Sequence, residues 1–193
     1  MAQSSAEIKN ALLNAGKQEL ANLVSRGVRI NGNGMSPIVL VKGKLDAAEL
    51  AGGELLAGAD GTALRSALGA IGYAPEDFCA LAAVAGAADG TAVAAPGQPL
   101  PVDTFREALE ALDPEAVLLL DDEAANLMRE AYADALVVIE DFDTAMLKPG
   151  LVAHVLGRRV LALDGFEDAL ADKAAKQRMW AYIKQLPPAG APY

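Results

Sequence analysis

Hydrophobic positions along this chain recur at two spacings, and the alternation between them predicts its elements. Residues 5–26 read as a helix: Ser4 or Ser5 can cap it, and Ile8, Leu12, Leu20, Leu23 and Val24 fall broadly on one side. Asn31-Gly32-Asn33-Gly34 predicts a turn, and Pro37–Val41, a short β-branched run, predicts a buried strand. Gly53–Leu64 then forms a glycine-punctuated loop that runs into a helix over 60–72, where Leu64, Ala67, Leu68 and Ile71 repeat at helical spacing. Asp77–Val84 lacks polar alternation, as a strand covered on both faces should. Residues 85–101 form a long Gly, Ala and Pro loop, of the kind that is usually functional or mobile.

Val102–Leu112 is amphipathic, with Val102, Phe105, Leu109 and Leu112 on one face. Glu115–Leu120 is the clearest strand, and a helix at about 122–132 follows it. Ala135–Ile139 reads as a fourth strand, and Leu151–Leu156 with Arg159–Leu163 as a hairpin. A last helix is expected from about Asp168 to Leu186, stopped by Pro187-Pro188 and followed by a loose tail. Strands alternating with helices predict one α/β domain over residues 1–193. Its expected form is a three-layer α/β/α sandwich around a central, mostly parallel four-stranded sheet.

Composition narrows the function. The chain is 53% hydrophobic, much of it alanine, so a folded helical domain is expected. A formal charge of −10 repels phosphate backbones, so DNA is not an expected partner. The basic residues that could form a local patch are Arg158, Arg159, Lys173, Lys176, Arg178 and Lys184, whose alternative role is as solvated helix and turn residues. Cys79 is the only cysteine and His154 the only histidine. A disulfide within the chain, a thiolate cluster and a histidine-based metal site are therefore not expected, nor is any cofactor. No apolar run reaches the roughly 18 residues of a membrane helix. The default expectation is a cytoplasmic protein with a protein or small-molecule partner.

Acidic residues supply the remaining candidate chemistry. Asp121, Asp122 and Glu123 follow a strand end, where α/β sites gather, but carboxylates also suit a helix N-terminus. Glu140, Asp141 and Asp143 form a second cluster, best read as a solvated loop. Lys42 and Lys44 could bind an anion beside the glycine loop, though the loop lacks the Gly-Lys-Ser/Thr ending of a nucleotide P-loop.

The order of these pieces, from about Ile8 to Leu186, resembles the uracil-DNA glycosylase superfamily, particularly its iron–sulfur class. That family carries a Gly-x-Pro-Phe-Val-Gly-x-x-Gly-x-x-Leu loop, and Gly53, Gly58, Gly61 and Leu64 fall at its spacings. Ala70-Ile71-Gly72-Tyr73 before Asp77, Val102–Asp113 before its strand, and Gly157–Leu163 before Lys176, Arg178 and Trp180 follow the same order. The resemblance implies a ligand pocket at Gly53, Leu56, Gly58, Gly61, Ala82 and Gly165.

The departures fall on the chemistry. Where the family has Gly-Glu-x-Pro-Gly, this chain has Lys42-Gly43-Lys44-Leu45-Asp46. The aromatic that stacks on uracil falls on Leu56, the asparagine that reads it on Ala82, and a cluster cysteine on Gly86. The His-Pro-Ser motif falls on Asp164-Gly165-Phe166, give or take one residue. Cleaving the bond to uracil needs a donor to the departing base, a placed water and a grip on the base edge. Losing all of these together implies a catalytically inactive binding or interaction module on this scaffold. The alternative is an active glycosylase or nucleotide hydrolase with a replaced site around Asp164, Asp46 and the Gly53–Gly61 loop.

Overall fold

The computed structural model describes residues 5–190. The Ser4 or Ser5 cap, the Ile8 side chain and the end of the tail lie outside the described residues. Helix α1 (Ser5–Ser25) leads to the short strand β1 (Ile30–Gly32), then β2 (Ile38–Lys42) and a one-turn helix α2 (Ala47–Leu50). Next come α3 (Ala59–Ala70), β3 (Cys79–Ala82), α4 (Val102–Leu112), β4 (Ala116–Leu119) and α5 (Asp122–Ala131). Two short helices, α6 (Ala133–Leu136) and α7 (Phe142–Ala145), precede the hairpin β5 (Val152–Val155) and β6 (Arg158–Ala162). Helices α8 (Phe166–Ala169) and α9 (Lys173–Ile183) are the last elements among the described residues.

The sheet is six-stranded and mixed, in the order β1-β3-β2-β4-β6-β5. Its four middle strands are parallel, and the two edges, β1 and β5, run antiparallel to their neighbours. The expected four-stranded sheet is thus corrected to a parallel core with an antiparallel strand on each side. Two elements account for the difference. Asn31 and Gly32 pair with β3 before the chain turns, so the strand begins inside the glycine-rich stretch that sequence assigns to a turn. Gly32 fits because its φ is +93° and a Cβ there would sit 2.1 Å from the Phe78 carbonyl oxygen. Residues 135–139 are not a strand: α6 covers their start, and Val137 and Val138 are 78% and 77% exposed. Both sides of β4 are already taken, by β2 and by β6 of the hairpin.

The strands bury both faces, as continuous apolar runs should. On β2, Ile38 and Leu40 face one core while Val39 and Val41 face the other; on β4, Leu118 and Val117 divide the same way. The first core lies under α1, α4 and α5 through Leu23, Phe105, Leu109 and Met128. The second lies under α3, α8 and α9 through Leu64, Leu68, Phe166, Met179 and Ile183. Layers of helix, sheet and helix follow from that division. The expected last helix is broken in two, because Asp172 caps α9 by accepting from the Ala175 N–H.

Cys79 faces the first core and is fully buried, and burial pushes its thiol up to about 12. At neutral to mildly alkaline pH, iodoacetamide should therefore leave the folded chain unmodified and label it fully in denaturant. Intact-mass measurement checks this, and rapid labelling of the native protein would contradict the packing described.

Candidate functional site

In open α/β sheets the carboxyl ends of the parallel strands are where ligands bind. Here the end of β2 carries Lys42, which is only 3% exposed. Its Nζ lies 2.6 Å from Asp60 Oδ2, 2.9 Å from Glu49 Oε2 and 3.2 Å from Glu167 Oε2. Asp60 comes from the first turn of α3, Glu49 from α2 and Glu167 from α8, so three separate elements close on one ammonium. An ammonium has three N–H donors, and each faces a carboxylate. Burial alone would push Lys42 down, but the hydrogen bonds to Asp60, Glu49 and Glu167 outweigh it and hold the ammonium above the ordinary lysine range.

Glu49 is fixed from two further sides. Its Oε1 accepts from the Leu56 N–H and its Oε2 from the Asp46 N–H, while Asp46 accepts from the Glu49 N–H in return. This is a capping box, spelled Asp46-Ala47-Ala48-Glu49, and it places the carboxylate that meets Lys42. Asp121 performs the companion task at the end of β4. Its Oδ1 caps α5 through the Ala124 N–H, and its Oδ2 accepts from the Gly43 and Lys44 N–H groups at 2.8 and 3.0 Å. Asp121 thereby ties the loop after β2 to the loop after β4, beyond the helix-capping role that its position suggests.

Between these loops lies a cleft of about 220 Å³ whose lining includes Lys42, Asp46, Asp60, Asp121, Gly165 and Glu167. Of the candidates from sequence, Asp46 and Gly165 share this cleft. Gly53 lines a separate, larger opening. Leu56 and Ala82 are fully buried in the core beneath α3. Gly58 and Gly61 belong to the N-terminus of α3, where Gly58 is the residue before its first turn. Asp164 stands exposed, 3.4 Å from Arg178, and is not among the residues lining the cleft. The six pocket positions and two acidic candidates are therefore spread over a core, two openings and a surface.

Three of the six basic residues that could form a local patch are already engaged. Arg158 is buried and bound to Glu110 and Asp113, Arg159 donates to the Pro187 carbonyl, and Arg178 meets Asp164. His154 is exposed on β5. Among the described residues, no three His, Cys, Asp or Glu side chains are arranged to hold a metal ion, and no helix is long and apolar enough to cross a membrane.

Glu49, Asp60 and Glu167 are absent from the sequence-based site. Glu49 carried a readable signal in its capping box. Asp60 and Glu167 carried none, because only the fold brings α3 and α8 to Lys42. No protein-family model and no curated protein matches this chain.

Proposed function

We propose that this protein is a uracil-DNA glycosylase-like scaffold that has lost base excision and acts by binding a protein or a small ligand. The observation that carries this reading is the saturation of Lys42. A departing base needs an uncommitted donor, and the cation at the end of β2 already faces three carboxylates. Leu56 and Ala82 point the same way. Both are fully buried, so a base held between them would have to displace packed core. Neither side chain can read a base edge by hydrogen bonding. The net charge of −10 also opposes a DNA backbone.

The test is an excision assay on uracil-containing single- and double-stranded DNA, beside a DNA-binding measurement at low salt. No excision and no retention of DNA are expected. Excision that disappears in Asp164→Ala or Asp46→Ala would replace this reading with the alternative, an active glycosylase or nucleotide hydrolase with a rebuilt site.

A further inference from the structure

The larger opening lies on the other side of α2. It encloses about 430 Å³ between the end of α1, β1, residues 50–54 and the 85–97 stretch. The long Gly, Ala and Pro loop that forms one wall is anchored. Ala85 donates to Gln98, Gly97 to Ala85, Leu100 to Ala83, and Gly86 to the Gly27 carbonyl, all at about 2.8–2.9 Å. Val28, Ile30, Leu50 and Pro96 make much of the lining apolar. Arg29 is the one cation among the lining residues and Glu54, an exposed residue, the one carboxylate.

Arg29 is half-buried and forms no salt bridge with any described residue. One terminal nitrogen donates to the Glu49 carbonyl at 2.6 Å and the other to the Gly53 carbonyl, both neutral acceptors. The Glu49 carboxylate is committed to Lys42 and to two backbone N–H groups. Burial pulls the Arg29 guanidinium below its ordinary range, and the Glu49 charge only partly opposes this. Of five guanidinium N–H groups, two are used among the described residues. Asn31, two residues further on, lines the same opening. Its Oδ1 accepts from the Leu55 N–H, which fixes the amide orientation and leaves its NH₂ without a partner among the described residues.

From this arrangement we infer that the cleft binds a small organic monoanion, a carboxylate on an apolar body, with the carboxylate on Arg29 and Asn31. A planar guanidinium matches a carboxylate through paired hydrogen bonds, and the apolar lining removes the rest of the ligand from water. The size suits such a molecule, since small-molecule pockets run from about 300 Å³ upward. Nucleotides and polyphosphates are disfavoured. They would bring several charges to one guanidinium, with no lysine in the lining and a protein of −10 net charge around it. A neutral ligand of the same shape would leave the cation without a counter-charge. This inference concerns a different cleft from the excision assay, so either can fail alone.

Fluorine NMR titration of the full chain with para-fluorophenylacetate, beside its neutral amide, tests it. The acid should bind saturably and roughly tenfold or more tighter than the amide. Ala87→Trp, at an exposed position in the cleft wall that leaves the Arg29 hydrogen bonds intact, should abolish binding without changing the melting temperature. Arg29→Lys should weaken the acid more than the amide. Equal affinity for acid and amide, binding that survives Ala87→Trp, or no saturable binding at millimolar concentration would each overturn the assignment.

Discussion

Replacing Lys42 with methionine should destabilise the protein by about 3–5 kcal/mol, the cost of removing one partner from a buried ion pair. The size follows from what is left behind. Glu49 and Asp60 are 2% and 7% exposed and would keep their carboxylates without the ammonium they surround. Glu167 is about half-exposed and can turn to water, so its share of the loss is small. Methionine fills most of the space, which makes the change one of charge and not of packing. Chemical denaturation measures the loss. Combining Lys42→Met with Asp60→Asn should recover part of it, because an amide at position 60 carries no charge needing a partner. The pH dependence has a definite sign. Lys42 is raised in the folded state, so its stabilising effect is complete below the ordinary lysine range and is lost only as pH climbs through its folded value. Titration of Lys42 itself should therefore leave stability unchanged at neutral pH and reduce it only in strong alkali. A loss below about 1 kcal/mol would mean that water, not Lys42, satisfies these carboxylates.

The fold was legible where burial imposed a period. Helix α4 has the boundaries that its pattern predicts, because Phe105, Ala108, Leu109 and Leu112 must all face the sheet. Strands β2, β3 and β4 were legible as apolar runs too short for helices and covered on both sides. Residues 135–139 show the limit of composition without a partner. Val137, Val138 and Ile139 look strand-like, yet β4, the strand before them, is already paired on both sides, by β2 and β6. The mixed character of the sheet was not readable for the converse reason. Three residues, Ile30–Gly32, become a strand only because β3 offers them a ladder. The site was less legible still. The glycines of the 53–61 loop were visible, but the residues that close on Lys42 come from α2, α3 and α8, which sequence spacing cannot bring together. Arg29 gave no signal at all. Its significance arises from carbonyls 20 and 24 residues away.

Gly61→Ala should cost about 3 kcal/mol, whereas Gly69→Ala on the same helix should add roughly 0.5–1 kcal/mol. Both glycines lie in α3, so helix propensity favours alanine equally at each. The surroundings decide the outcome. A Cβ on Gly61 would lie 1.7 Å from the Leu56 carbonyl oxygen and 2.6 Å from its carbon, whereas a Cβ on Gly69 meets nothing within 4 Å. The obstacle at Gly61 is backbone and cannot swing aside as a side chain would. Leu56 is already in the left-handed region, at φ 56°, where a branched aliphatic residue is strained. Two bonds hold it there: its N–H donates to Glu49, and its carbonyl accepts from Arg65 at 3.1 Å. Pushing the carbonyl away would strain both, and the Glu49 bond leads directly to Lys42. Gly61→Ala and Lys42→Met should therefore be less than additive in a double-mutant cycle, since each disturbs the same carboxylate. Strict additivity, or a Gly61→Ala protein as stable as Gly69→Ala, would separate the glycine loop from the charged cluster and leave the loop as a turn with no hold on the site.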